Sequence, residues 1–462
     1  MDSGIKLDDE FLKNVWEIGK KYGVRILPVG GLVRDFFLNR RIADYDFLVL
    51  SDDENALKSF VDHLSSSSGL TVVKPARFDT YRLVKRELTI DLSVLKKGEH
   101  LESNLVSRDL TINSIAYSFD DNLLLDPSNG LKDIKKGILR TFSGENFKQD
   151  PLRVLRLFRF FATFEGFKIE EKTRNYAFEY SYLLNKVSRE RIRDEIFKIF
   201  RSDRGFMALK SMIFPVLSTV FPSLEDLKGV PQNGYHHLDV LDHTLEVVSF
   251  CFDLDWFKER FSFFPLNLSD DDRVVLRFSA LFHDTGKKDT MGYNAHGVTT
   301  FKNHQFVSAS KVLNDLSFFP KKMVERIYLL IRRHMLFLNF MINGYSEKSF
   351  GKLINMMRED SILLLILFLA DKKAARGPLS KGSLKKALNI ANDFLNFYLK
   401  EKDRILKLPK LISGYDVIKI LEIAPSRKVG EVLNMITEKQ LEDPEFSREE
   451  ALKLLYSLKG EM

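Results

Sequence analysis

Apolar residues in the first third of the chain fall in short β-like runs, at 24–29, 45–50, 71–73, 80–84 and 88–95, separated by helical stretches. From about residue 140 onward the pattern changes to long amphipathic segments, which predict helices almost throughout. The change comes at Asp126-Pro127-Ser128-Asn129-Gly130, a dense turn cluster, followed by one more short strand at 138–142. Further breaks stand at Gly229-Val230-Pro231-Gln232-Asn233-Gly234 and around Leu408-Pro409-Lys410. The serines at 65–68 read as a small low-complexity loop, and no repeat of fixed period is visible. The expected architecture is an α+β head over 1–142, then an all-α neck over 143–230, a helical body over 231–400 and a helical tail over 401–462.

Composition narrows the class. A chain of 462 residues is too long for one core and is expected to hold several domains. The longest apolar run, 362–370, is far short of a membrane span and predicts a buried helix. The N-terminus, MDSGIKLDDE, is acidic and polar, which argues against a signal or transit peptide. A single cysteine, Cys251, excludes a disulfide scaffold and points to a reducing, cytoplasmic setting. The formal charge of +7 is a mild bias, compatible with nucleic acid without requiring it.

The stretch ILPVGGLVRDFFLNRRIADYDFLVL carries the densest chemistry. It reads as a strand, the pair Gly30-Gly31, a short helix with Arg34, and a second strand bearing Asp44 and Asp46. Alternation on a strand points Asp44 and Asp46 the same way, and two neighbouring carboxylates repel unless a cation joins them. Mg²⁺ suits such a pair, because it takes oxygen ligands and bridges carboxylates to substrate phosphates. Gly30 and Gly31 leave backbone N–H groups open at a helix start, where phosphate oxygens bind. A Gly-Gly alone is usually a turn, and an Asp-x-Asp alone is usually solvated. Their closeness describes a nucleoside-triphosphate site.

Other segments gain meaning beside it. Arg108, Asp109 and Asn113 sit at a helix entry, where Asp109 is either a cap or, with its neighbours, a ligand for sugar and phosphates. Asp91 either adds a third acid near the metal or ends a strand. Asp150-Pro151 starts a helix on which Arg153, Arg156 and Arg159 share one broad face, a stripe as often anion-binding as solvated. The following Ser188-Arg189-Glu190-Arg191-Ile192-Arg193-Asp194-Glu195 reads as mainly structural, with acids and bases able to pair along the helix.

Six motifs in order over 25–200 make the chain resemble the class II tRNA nucleotidyltransferase and bacterial poly(A) polymerase family. They are the glycine pair with Arg34-Asp35, Asp44-x-Asp46, Arg108-Asp109-x-Thr111-x-Asn113, Asp126-Pro127 with Gly130, Asp150-x-x-Arg153-x-x-Arg156, and Glu190-Arg191-Ile192. The resemblance implies a polymerase β-like nucleotidyltransferase head and two Mg²⁺ on Asp44 and Asp46 that activate an RNA 3′-hydroxyl. It implies that Arg108, Asp109 and Asn113 hold the sugar and triphosphate, and that Asp150 and Arg153 read the base edge of CTP or ATP. The tail would grip the tRNA body, with Arg427-Lys428 either meeting phosphates or opening a solvated helix. Two departures stand out: Gln149 replaces a usual Glu, and VLKKGEHLESNLVS, between the Asp91 strand and Arg108, is short. Relatives with a short segment there tend to add CC beside a separate A-adding partner, so CC-addition is the expectation, with full CCA addition and poly(A) synthesis as alternatives.

His243, His283, Asp284, His304, His334 and Asp371 form an independent pattern in the helical half. An adjacent His-Asp inside an apolar helix needs partners, and a metal supplies them. The pattern resembles the HD phosphohydrolase superfamily, which implies His243, His283, Asp284 and Asp371 as metal ligands. His304 and His334 match ligands of a second ion. Lys287 would meet a phosphate, and the metal would be a transition metal of unspecified identity. An HD hydrolase using the head to bind RNA is the alternative from another class.

Overall fold

Strand β2, Asp44–Leu50, explains the head. Its first residues are exposed or half-buried and Phe47, Leu48 and Val49 are buried in succession, so both faces are covered beyond the acids. With β1 (Arg25–Pro28), β3 (Thr71–Val73), β4 (Thr80–Lys85) and β5 (Leu88–Val94) it forms a five-stranded mixed sheet in the order β1-β2-β5-β4-β3. The β2–β5 pair is parallel and the other three pairs are antiparallel. Register puts Asp46 opposite Asp91, and Arg82 opposite Asp91 from the other side. This computed structural model describes residues 9–42, 44–73, 80–85, 88–95, 98–443 and 445–460. Residues 1–8 of the acidic N-terminal stretch, and 96–97 of the short connection, lie outside the described residues.

The chain divides into two units, Met1–Val220 and Phe221–Met462, so the division falls ten residues before the expected end of the neck at 230. In the first, the helix Leu152–Thr163 buries Val154, Leu155, Leu157 and Phe158 and packs on Arg189–Arg201, which buries Ile192, Ile196 and Phe200. That packing fixes which face Arg153, Arg156 and Arg159 present. Three expectations change. The serines at 65–68 are the end of the helix Glu54–Ser68, closed by Gly69 in a left-handed conformation that glycine adopts without strain. The strand at 138–142 is only Ile138–Leu139, paired with Lys168–Ile169, because the Thr141 N–H turns to Thr173 Oγ1. The helical half also holds a hairpin, Met291–Tyr293 with Thr299–Phe301.

In the second unit, Val240–Phe252, Asp270–Phe282 and Asp360–Ala374 pack together, and Asp270–Phe282 also meets Lys321–Arg333. The apolar run 362–370 lies wholly buried in Asp360–Ala374. Among the described residues no helix is long and apolar enough to cross a membrane. The last three helices keep a core of their own around Val417, Leu421, Val432, Ile436 and Leu455. At the start of one, Arg427 pairs with Glu431 a turn later, Nε to Oε1 at 3.1 Å, with its side chain 95% exposed.

Candidate functional site

Gly30 adopts φ +68°, which an L side chain disfavours, and a Cβ there would stand 2.8 Å from Arg108 Nη1. The absent side chains let the backbone approach both Arg108 and Asp46. Behind Gly31, Arg34 is held on three sides: Nε and Nη2 donate to Asp35 at 2.9 and 2.8 Å, and Nη1 donates to Asn113 Oδ1 at 2.6 Å. Its guanidinium also faces the Phe160 and Phe164 rings, at 5.2 and 4.8 Å. Arg34 is therefore an anchor for the site's wall.

A cavity of about 370 Å³ opens between the strand head and the neck helix. Asp44, Asp46, Gly30, Gly31, Arg34, Arg108, Asp109 and Asn113 line it from the head. Asp150, Arg153, Arg156 and Arg159 line it from the neck. Burial raises the Asp46 carboxyl, Arg108 partly opposes that, and Asp91 and Asp44 push it further up. Burial lowers Arg108, which Asp46 and Asp109 draw back up, and its Nε has no hydrogen-bond acceptor. The acids are thus crowded beside a half-buried cation, a setting that favours a bound divalent ion.

Asp109 does not cap a helix. Its carboxylate accepts from Leu110 N at 2.9 Å, Asn113 Nδ2 at 2.8 Å and Arg156 Nε at 2.8 Å. Burial alone would raise it; Arg156 and those hydrogen bonds outweigh burial and hold it well below the ordinary carboxylate range. The arginine stripe is likewise partnered from neighbouring segments: Arg156 by Asp109, and Arg159 by Glu195 at 2.9 Å. Arg153 Nη1 donates to the carbonyls of Ser107 at 2.7 Å and Asn146 at 3.0 Å. Asp150 Oδ1 accepts from Leu152 N at 3.3 Å, and Oδ2 from Arg191 at 3.0 Å. Along the helix that begins at Arg189, the expected pairing is present, Arg193 with Asp194 and Lys198 with Glu195, and Arg191 and Glu195 also pair across to neighbouring segments. Gln149 is exposed and does not line the cavity.

Asp91 is the one expected head residue outside the cavity lining; Arg82 holds both its oxygens at 2.7 Å. The pattern along the chain gave no sign of Phe160, which lines the cavity beneath three arginines, nor of Asn146. Asn146 is buried and ties head to neck, donating to the carbonyls of Val106 and Arg108 at 2.9 and 2.6 Å.

Gly130 supports the floor. A Cβ there would lie 2.1 Å from Thr111 O and 3.0 Å from Ile115 Cγ1. Gly130→Ala must displace the segment that carries Asn113, at a cost of about 1–3 kcal/mol by overpacking. Urea unfolding should show that loss, with weaker nucleotide binding by titration; wild-type values for both would refute the role.

The second unit assembles all six residues expected there. His243, His283 and Asp371 form one group of converging ligand atoms, and Asp284, His304 and His334 form another. His243 Nε2 lies 3.0 Å from Asp371 Oδ1, His304 Nε2 lies 3.1 Å from His334 Nε2, and His283 Nε2 lies 3.1 Å from Asp284 Oδ2. His283, His304 and His334 each set Nδ1 against the carbonyl three residues earlier, at 2.7–2.8 Å. That contact puts the proton on Nδ1 and turns the Nε2 lone pair inward, as metal-binding histidines require. Burial pushes His334 down to about 3, aided by His304 and His283, so it is neutral. His283 Nε2 and Asp284 Oδ2 are buried and face each other without hydrogen-bond geometry, and Lys287 Nζ is the cation beside that oxygen. Mostly buried imidazole nitrogens and carboxylate oxygens converging in two groups fit a metal.

Lys287 Nζ sits 2.7 Å from Asp284 Oδ2 and 2.7 Å from Gln232 Oε1. His236 and Gln232 were not expected in this site. His236 Nδ1 lies 3.3 Å from His243 Nδ1, and burial, with Lys287 and His243 adding to it, lowers His236 to about 3. The adjacent His236-His237 a short way before His243 was the available signal.

Three family models match the chain: the poly A polymerase head domain over 26–140, the probable RNA- and SrmB-binding site of polymerase A over 166–227, and the HD domain over 240–376. The chain is 30% identical over 423 residues to an A-adding tRNA nucleotidyltransferase of Deinococcus radiodurans, covering 89% of this chain and 90% of that one. It is 30% identical over 443 residues to a CC-adding tRNA nucleotidyltransferase of Thermus thermophilus, covering 94% and 93%. A Thermotoga maritima CCA-adding enzyme complexed with tRNA shares the fold, with a TM-score of 0.60 at 24% identity over 97% of this chain and 96% of that one. With the head, RNA-binding and HD segments in one order and both relatives matched nearly end to end, the chain belongs to the tRNA nucleotidyltransferase family.

Proposed function

We propose that this enzyme adds two cytidylates to the 3′ end of tRNA and leaves the terminal adenylate to a separate A-adding enzyme. One observation supports the reading above others: a carboxylate pair, the half-buried Arg108 and the Asp150–Arg153 pair line a single cavity. Asp44 and Asp46 would hold two Mg²⁺, which supply activation of the RNA 3′-hydroxyl and charge stabilisation on the departing pyrophosphate. Arg108 and Arg156 place positive charge against the triphosphate, Asp109 fixes Arg156 and Asn113 fixes Arg34, and Asp109 and Asn113 would also meet the sugar.

Base choice follows from donors and acceptors. Asp150 accepts and Arg153 donates, so the pair suits a base edge with an amino donor beside a ring-nitrogen acceptor. Cytosine and adenine both present that edge; uracil and guanine present the reverse and would leave buried polar groups unpaired. The pair therefore excludes two bases and leaves C against A to be decided elsewhere. Between β5 and the helix Leu101–Val106 only residues 95–100 intervene. Leu105 of that helix is buried with Leu27, Val29, Leu48 and Ala116, with Leu95 and Leu101 packed against them. A connection of that length, bounded by the packed Leu95 and Leu101, is shorter than a long loop able to reshape the cavity for adenine, which supports stopping after CC.

The test supplies tRNA ending at the discriminator base with labelled CTP and ATP, singly and together. Two cytidylates and no adenylate, with both nucleotides present, is the expected product. A CCA end would convert the reading to full CCA addition, and a long A tail would sink it.

For the second unit we infer a phosphohydrolase-type metal site, held by His243, His283, Asp284 and Asp371, with His304 and His334 on a second ion. The two groups of converging, mostly buried ligand atoms support it. Lys287 is placed to meet a substrate phosphate beside them.

A further inference from the structure

Asp46 on β2, Asp91 on β5 and Arg82 on β4 stand at one level of the sheet, each directly opposite the next. Residues opposite one another in a sheet project from the same face, so the three form a row. Arg82 closes it: Nε lies 2.7 Å from Asp91 Oδ1 and Nη2 lies 2.7 Å from Oδ2. This bidentate fork engages both carboxylate oxygens. Asp91 accordingly does not line the cavity that Asp44 and Asp46 line.

The fork is not a buried clasp. The Arg82 side chain is 53% exposed, against 23% for Asp91. An exposed ion pair contributes little to stability, so the fold does not depend on it. A phosphate offers guanidinium the same two-oxygen geometry that a carboxylate does, which makes one a natural replacement for the other. Arg82 stands at the outer end of the row, where a charged strand can reach it without entering the cavity.

We propose that Arg82 is a positioning residue that withholds Asp91 from the Asp44–Asp46 pair until a backbone phosphate of the RNA draws the guanidinium away. The proposal rests on the reading of Asp44 and Asp46 as metal ligands. With the fork closed, two carboxylates face the cavity; with it open, a third joins them on the same face. Metal and RNA then favour each other's binding, and by linkage the coupling is reciprocal.

Mn²⁺ binding to the full chain, followed by electron paramagnetic resonance without nucleotide or RNA, tests this. The proteins are wild type, Arg82→Ala, Asp91→Asn and the double variant, each read as the difference from the same protein carrying Asp44→Asn, so that ions bound elsewhere cancel. Arg82→Ala should bind Mn²⁺ about tenfold more tightly, the scale on which groups around metal ligands act. The gain should vanish in the double variant. A merely structural role would lower thermal stability and could not tighten the metal, so unchanged or weaker Mn²⁺ binding overturns the proposal. RNA affinity against salt should lose about one unit of slope in Arg82→Ala; an equal slope overturns phosphate as the trigger. If Asp44→Asn leaves Mn²⁺ binding unaltered in every background, the metal reading of the pair fails first, and this one with it.

Discussion

Asp46→Asn is expected to abolish nucleotide transfer while leaving the protein at least as stable as wild type. The two effects part because this carboxylate is held against its own preference. Burial raises it, and Asp91 and Asp44 raise it further, against the pull of Arg108. A carboxyl whose folded pKa lies above its unfolded one binds more protons when folded, so stability falls as pH rises through that interval. At neutral pH the charged group is therefore a net burden on the fold, and the amide removes it. Catalysis loses what stability gains, since transfer needs negative oxygens where the cation sits. Losing one preorganised electrostatic contact typically costs about 10²–10³ in rate, and loss of a metal ligand should exceed that. Incorporation of labelled CTP into tRNA lacking its 3′ end measures the first effect, and thermal melting at neutral pH the second. Addition of Mg²⁺ should raise the wild-type melting temperature more than the variant's, because a ligand of the folded state stabilises it. Undiminished transfer would refute the metal assignment.

What could be read along the chain was local. Asp44 and Asp46 follow from strand alternation, Asp150 and Pro151 from helix-start chemistry, and the His283-Asp284 pair from its apolar surroundings. The sheet's strands were placed within a residue or so, because apolar runs bounded by turns mark them. Partners far apart along the chain were out of reach. Asp109 meets Arg156 across a separation of 47 residues, and Asp150 meets Arg191 across 41. No spacing rule connects such pairs, so the arginine stripe read as open when Asp109 and Glu195 hold two of its members. Asp91 is the same case within the sheet. Its neighbour Arg82 becomes a partner only through the register of β4 on β5. Phe160 and Asn146 carried no signal, since one is an ordinary apolar helix residue and the other an ordinary polar one.

Asp284→Asn should remove bound metal from the second unit, and this is the largest effect expected there. Asp284 is the residue that joins the two ligand groups. Its Oδ2 lies 3.1 Å from His283 Nε2 and 3.8 Å from His243 Nε2, while Oδ1 lies 3.4 Å from His304 Nε2. An amide cannot bridge two cations, so both positions should weaken together, where losing a terminal ligand such as His334 should spare the other. Metal analysis of the purified proteins separates these outcomes, and a wild-type metal content in Asp284→Asn would refute the bridging role. The substitution also strips Lys287 of the carboxylate 2.7 Å away, leaving a buried ammonium beside Gln232 Oε1 and the Phe301 ring. Breaking a buried pair by removing one partner costs about 3–5 kcal/mol, which should appear as a lower unfolding midpoint. A compensating Lys287→Met in the same chain should recover most of that stability without restoring metal, because it removes the stranded charge and not the missing ligand. Transfer assayed below that midpoint should persist in both variants, since Asp44, Asp46 and the base-reading pair belong to the other unit.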